Sequence, residues 1–288
     1  MQKAVIFGSA GQLGLELTKE FRSRGYQVTA LNRATVDISD FHAVESCLTQ
    51  IDPAVVLNAA AYNQVDIAEA EPLAAYSANA LAVRNLAIAC RQMDSLFVHF
   101  STDYVFDGTL QRPYTETDAT HPLGAYAVSK LAGELYAQAY VDPLIIRVSG
   151  VFGPGGQNTV RGNFVELMVR LAKAGQPIRV VEDHVASPTF APAIASRTAD
   201  LVEKRLAGVF HMAGGVPISW YNWAKLIFES AGLNPELKPT TEREYRTAAR
   251  RPKFSALSNS KLEGIGIQDM PTLEFALQEY WRLRAGNS

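Results

Sequence analysis

Two short segments carry groups able to exchange a proton with a carbonyl: Phe100-Ser101-Thr102-Asp103-Tyr104-Val105 and Tyr126-Ala127-Val128-Ser129-Lys130. Side chains four apart on a helix share a face, so the Tyr126 phenol and the Lys130 ammonium are expected side by side. Lys130 and the positive ring of an oxidised nicotinamide both favour phenolate, which lowers the Tyr126 pKa toward working pH. In the reductive direction Tyr126 then protonates a carbonyl oxygen as hydride reaches the carbon. Thr102 donates a hydrogen bond to the same oxygen and steadies developing alkoxide charge. Lys130 also holds the nicotinamide ribose. The Tyr-x-x-x-Lys spacing is common by chance, and a second copy, Tyr221 to Lys225, follows Trp220 near the C-terminus. That copy has no strand and hydroxyl pair before it and reads as packing.

A hydride carrier needs a loop to hold it. Gly8, Gly11 and Gly14, with Gln12 and Leu13 between the last two, follow an apolar run and open an amphipathic one. Glycines there permit a tight turn and let backbone N–H groups approach a pyrophosphate at a helix N-terminus. The spacing is GxxGxxG, so its place after an N-terminal strand matters more than the pattern. At the end of the second strand stand Asn32 and Arg33, with no acidic residue to hold ribose hydroxyls. Arg33 suits a 2′-phosphate as a charge-assisted fork; the competing reading is a solvated loop residue. NADPH is therefore expected over NADH. Asp37 and Ile38 are expected beside the adenine.

These groups must be positioned by a sheet. Lys3–Phe7, Gln27–Leu31, Val55–Asn58, Leu96–Phe100 and Leu144–Val148 read as strands. Helical patterns lie between them at Leu13–Arg24, Phe41–Gln50, Pro72–Arg91 and Ala125–Ala139. Such alternation predicts an α/β chain, a Rossmann-type doubly wound parallel sheet built from right-handed crossovers. Strand C-termini line the ligand crevice of such a sheet, so Thr102 is expected to face the cofactor. The second half is less regular. Residues 1–150 read as the dinucleotide-binding domain and 151–288 mainly as a smaller, interleaved substrate lobe, part of which returns to the sheet.

Composition narrows the classes. The 288 residues are 48% hydrophobic and 19% charged, too apolar for a disordered chain, and a formal net charge of −2 offers no general attraction to nucleic acid or anionic membrane. The N-terminal apolar run is too short for a signal peptide, and no uninterrupted apolar segment of about 18 residues occurs. Two cysteines, Cys47 and Cys90, read as reduced thiols inside helices, which suits the cytoplasm. Five histidines show no metal-ligand spacing, so no metal site is assigned. His184 is a candidate for the substrate cleft.

Taken together, the residues resemble the dTDP-4-dehydrorhamnose reductase family of extended short-chain dehydrogenase/reductases. The matching strings are Gly8 to Gly14, Asn58-Ala59-Ala60-Ala61-Tyr62, Val65-Asp66 with Glu69, Ser101 to Phe106, Tyr126 to Glu134, Asn163-Phe164, Ser187-Pro188-Thr189, and Arg251-Pro252 with Ser255. The resemblance implies a Rossmann domain, NAD(P)H, and reduction of the 4-keto group of dTDP-6-deoxy-L-lyxo-4-hexulose to dTDP-L-rhamnose. It implies that Ala60, Ala61, Tyr62, Asn63 and Phe100 border the cofactor and that Thr102, Asp103, Tyr104 and Ser255 face the sugar. Gly150 stands where the family often has a sugar-contacting Trp, which removes a stacking surface. Asn63, Ile67, Ala127 and Ser258 also depart from common family residues.

Two further substrate candidates have plain alternatives. Arg251, near Arg246 and Arg250, suits a nucleotide diphosphate or a solvated loop, and Asn163 reads as an N-cap, a ligand contact or both. Two other functions compete: a reductase of another nucleotide 4-ketosugar, and a non-catalytic NADP-binding subunit similar to the methionine adenosyltransferase beta subunit. A homodimer is compatible with either.

Overall fold

The computed structural model describes residues 1–158 and 162–286. Strands β1 (Lys3–Phe7), β2 (Gln27–Leu31), β3 (Val55–Asn58), β4 (Leu96–Thr102) and β5 (Leu144–Val148) alternate with α1 (Gln12–Ser23), α2 (Phe41–Ile51), α3 (Ile67–Ala70), α4 (Pro72–Tyr76), α5 (Ala82–Gln92) and α6 (Ala125–Tyr140). The later chain supplies α7 (Phe164–Lys173), β6 (Ile178–Val181), β7 (Val185–Ala186), α8 (Ala191–Glu203), β8 (Gly208–Met212), β9 (Ile218–Ser219), α9 (Trp220–Ala231), β10 (Leu237–Thr240), α10 (Ser260–Gly264) and α11 (Leu273–Ala285).

Six strands form one parallel sheet in the order β2-β1-β3-β4-β5-β8. Because both faces are covered, the central strands β1, β3 and β5 are buried almost throughout and mostly apolar rather than alternating. In β1, Ala4 and Ile6 pack with Leu17 and Phe21 of α1, while Val5 and Phe7 pack with Val44, Leu48 and Leu86 of α2 and α5. The order reverses at β1, since β2 lies to one side and β3 to the other. The carboxyl ends of β1 and β3 therefore flank the crevice. β8 returns from the second half to extend the sheet, and α8 packs on α1. α10 packs on β8, and the remaining elements enclose a separate core around Phe152, Val165, Trp223, Leu277 and Tyr280. Two small sheets, β6 with β10 and β7 with β9, edge it.

The expected boundaries of β1, β2, β3 and β5 coincide with the observed ones, and β4 runs two residues further, through Ser101 and Thr102. The one expected helix over Pro72–Arg91 is a continuous helical run with a π-helical turn at Ser77–Leu81. Asn79 causes the irregularity to be useful: its buried amide accepts from the Tyr62 N–H (2.8 Å) and donates to the Tyr62 carbonyl (3.1 Å) and Ser129 Oγ (3.0 Å). Gly133 of α6 meets this turn so closely that a Cβ would lie 2.2 Å from the Asn79 carbonyl oxygen. The run Pro72–Gln92 is long and apolar enough to cross a bilayer, but half of its most apolar window is buried against the rest of the protein, as in a core helix. Both cysteines are free.

Candidate active site

The turn after β1 is shaped for close backbone approach. Gly8 has φ +75°, and a Cβ there would meet Ala60 N at 2.5 Å; at Gly14 it would meet the Gly8 carbonyl oxygen at 2.2 Å. Gly11 precedes α1 in extended conformation and brings no side-chain cap, so the helix N-terminus faces the crevice with backbone N–H groups. Two adjoining cavities open there, of about 810 and 740 Å³. Both are lined by Gly11 and Ala59 to Ala61 with Asn63, and together they make an elongated trough.

The outer cavity is bordered by Gly8, Asn32, Arg33, Asp37, Ile38 and Tyr62. Asn32 turns the chain by accepting from the Ala34 and Thr35 N–H groups. The Arg33 side chain is 91% exposed and donates to Asp37 Oδ2 at 3.1 Å. Bonds from Ser39 hold the Asp37 carboxyl below the usual carboxylate range, with Arg33 adding to the effect.

The inner cavity is bordered by Leu13, Phe100, Thr102, Tyr126, Lys130 and Gly150, among others. Lys130 is buried and its Nζ donates to the Phe100 carbonyl at 2.6 Å. Burial pulls its pKa down to about 8, against the opposing charge of Glu134. The Tyr126 phenol reaches Thr102, and burial pushes its pKa up while that contact opposes the rise. The expected lowering by Lys130 is thus corrected: desolvation dominates, and the ammonium is directed at a backbone carbonyl.

Beneath these groups sits a buried carboxylate. Asp103 accepts from Thr102 Oγ1 (3.0 Å), Ser149 Oγ (2.7 Å) and Ser255 Oγ (2.6 Å). Burial raises its pKa to about 6 despite those three hydroxyls. Thr102 spends its proton on Asp103 and accepts from the Tyr104 N–H (3.2 Å), so donation to a substrate oxygen requires its hydroxyl to rotate. Ser101 donates to Glu134, which forms a buried ion pair with Arg147 (2.7 Å). The helix bearing Tyr126 and Lys130 starts at Gly124, which has no capping side chain; Glu69 supplies one from outside, accepting the Ala125 N–H at 2.8 Å.

Several expected contacts lie elsewhere. Arg251 is held by Asp66 through two parallel bonds (3.1 and 2.8 Å) and also reaches Tyr104, so it faces a carboxylate and a phenol rather than either cavity. Tyr104 packs edge-on against Tyr126, with ring centroids 6.2 Å apart. Asn163 caps α7 by accepting the Glu166 N–H and donates to Gln12 and the Gly153 carbonyl. Gln12 in turn donates to the Val151 carbonyl (2.9 Å), so its side chain ties the glycine turn to the lobe, and it borders the cavity only beside that tie. Ser255 is buried behind Asp103. His184 borders neither cavity. Gly150 has φ +49°, and the Trp220 ring from α9 comes within 3.2 Å of where its Cβ would be. Trp220 itself lines neither cavity. Asn79 and Ser149 were not singled out by sequence reasoning, since neither carries a local signal. Glu69 was seen only within a matching string.

The chain matches the model described as "RmlD substrate binding domain" over residues 2–284. It is 38% identical to the dTDP-4-dehydrorhamnose reductase of Aggregatibacter actinomycetemcomitans, over 93% of this chain and 95% of that one. It is 36% identical to the spore coat polysaccharide biosynthesis protein SpsK of Bacillus subtilis, over 99% of both. A crystal structure of the dTDP-4-dehydrorhamnose reductase of Bacillus anthracis in complex with NADP superposes with TM-score 0.93 at 32% identity, covering 98% of this chain and 99% of that one. With the matched residues running nearly end to end and including the glycine turn, Thr102, Tyr126 and Lys130, the chain belongs to the RmlD substrate binding domain family.

Proposed function

We propose that this protein is an NADPH-dependent oxidoreductase that reduces the 4-keto group of dTDP-4-dehydro-L-rhamnose to give dTDP-L-rhamnose. The carrying observation is the meeting of the Tyr126 phenol with Thr102 at the carboxyl end of β4, in a cavity continuous with the glycine turn. Two of the relatives named above, those of Aggregatibacter actinomycetemcomitans and Bacillus anthracis, carry the same activity in their names, and the second holds NADP. The turn fits a diphosphate: Gly8 and Gly14 leave no room for a Cβ, and α1 presents an uncapped N-terminus. Arg33 at the mouth of the outer cavity supports the 2′-phosphate, and Asp37 and Ile38 the adenosine.

When bound, NADPH supplies the hydride that reaches C4 of the sugar. Tyr126 gives its proton to the ketone oxygen, so the carbonyl becomes a secondary alcohol, and the phenolate regains a proton from solvent. Thr102 rotates from Asp103 to donate to the same oxygen as charge develops. Lys130 holds the nicotinamide ribose. Residues 1–150 bind the dinucleotide, and 151–288 mainly form the substrate lobe. Asp103, Tyr104 and the Gly150 wall border the hexose, with Ser255 acting through Asp103. Arg251 serves the nucleotide diphosphate on release from Asp66. The protein works in the cytoplasm, where Cys47 and Cys90 stay reduced, and pairs as a homodimer through exposed Leu73, Val128 and Leu135 on α4 and α6.

The test is loss of NADPH absorbance on adding dTDP-4-keto-6-deoxyhexose made in situ with its epimerase, with dTDP-L-rhamnose as product. Turnover only with another nucleotide sugar reassigns the substrate. NADPH binding without turnover on any ketosugar makes the chain a non-catalytic subunit. A higher kcat/KM with NADH overturns the cofactor assignment.

A further inference from the structure

β6 and β10 run parallel with Val181 opposite Thr240, so the residues two places beyond each strand emerge together. These are Asp183 and Glu242, and the Glu242 N–H donates to the Asp183 carboxylate at 3.1 and 3.4 Å. His184 follows Asp183. Among the described residues, these three are the one group of His, Cys, Asp or Glu whose ligand atoms all lie within 4.8 Å of one another. The His184 side chain is only 7% exposed, and its Nε2 has no hydrogen-bond partner while lying 3.7 Å from Glu242 Oε2. A buried imidazole nitrogen without a partner needs a reason. A cation already favours this spot: Lys253 Nζ lies 3.6 Å from Asp183 Oδ2 and 3.6 Å from Glu242 Oε2. Both distances exceed a hydrogen bond, and the Lys253 side chain is 61% exposed and free to swing into solvent.

We propose that Asp183, His184 and Glu242 bind one divalent transition-metal ion in place of the Lys253 ammonium. Two carboxylates and a neutral imidazole form a mixed oxygen and nitrogen set that suits Zn²⁺, Co²⁺ or Mn²⁺ and gives no preference to Mg²⁺. Ligand atoms about 2.0–2.2 Å from a tetrahedral ion stand roughly 3.4 Å apart, so the outermost ligand moves in by up to about 1.4 Å. The half-exposed Glu242 side chain can do so. Three protein ligands leave a position for water. The ion then fastens the turn between β6 and β7 to the segment after β10. This site lies apart from the two cavities and does not rest on the reductase reading.

The full-length chain titrated with Co²⁺ and followed by visible absorption, with Zn²⁺ calorimetry alongside, tests the site. One ion per chain is expected in the wild type, and Mg²⁺ in excess should not displace it. His184→Ala and Glu242→Gln should each weaken binding at least about tenfold, the second being a near-isosteric change on a half-exposed side chain that leaves the fold intact. Exposed histidines elsewhere contribute equally to all variants, so the difference counts. Lys253→Met should tighten binding about three- to tenfold by removing the competing cation, which a merely structural cluster would not do. No binding by the wild type, unchanged binding in both His184→Ala and Glu242→Gln, or an unchanged Kd in Lys253→Met overturns the proposal.

Discussion

Two helices of this molecule carry a tyrosine followed four residues later by a lysine, and they part company in everything but spacing. On α6, Lys130 is buried with its ammonium on the Phe100 carbonyl, and Tyr126 opens onto the cavity beside Thr102. On α9, Lys225 is 62% exposed, 3.9 Å from Glu229, and Tyr221 packs at the margin of the lobe core. Spacing puts a phenol and an ammonium on one face; the neighbouring strand decides whether they do chemistry. α6 lies against β4, whose carboxyl end delivers Thr102 and Asp103, whereas α9 packs on α7 and α11.

The widest separation between the two copies should come from removing the phenol oxygen. Tyr126→Phe is expected to lower kcat by about 10²–10⁴-fold while NADPH affinity stays within about twofold, and Tyr221→Phe should leave kcat near wild type. Steady-state kinetics with calorimetry for the cofactor would read both, and equal losses would dissolve the distinction. Lys130→Met comes next, with kcat/KM down by about 10²-fold and a raised KM for NADPH; Lys225→Met should change neither.

A pH profile sharpens the same contrast. Asp103 has a carboxyl raised to about 6 from its unfolded value of 3.8, so the folded chain binds more protons than the unfolded one in between. Stability from this group is therefore present below about 3.8 and lost as pH rises to about 6. Thermal unfolding from pH 4 to 7 should show that loss in the wild type and not in Asp103→Asn. The smallest effects concern the two helix starts. Glu69→Ala removes the outside cap of α6 and Ser219→Ala the local cap of α9, which accepts the Asn222 N–H. Each should cost about 1 kcal/mol in denaturant melts, but only Glu69→Ala should also lower kcat.

Much of the site was legible because its signals are local. The glycine turn, the strand ending at Thr102 and the α6 spacing each lie within a few residues, where backbone geometry links sequence to position. The substrate side was less legible. Arg251 reads as a phosphate ligand, and only the fold shows that Asp66, 185 residues away in the chain, holds it back from the cavities. Gly150 reads as a missing aromatic, and only the fold shows that the Trp220 ring packs behind it. Gln12 lines the inner cavity, but that its amide also ties the turn to Val151 is not readable from the chain.

The amino-acid sequence by itself determined the parallel sheet, the nucleotide-binding turn and the Tyr126–Lys130 pair, because hydrophobic period and residue spacing act over single elements. Tertiary structure alone decided the high Tyr126 pKa, the raised Asp103, the π-helical turn around Asn79 and the joining of Asp183 and His184 with Glu242. Those depend on desolvation and on partners brought from distant segments, and neither quantity is a property of a short stretch of chain.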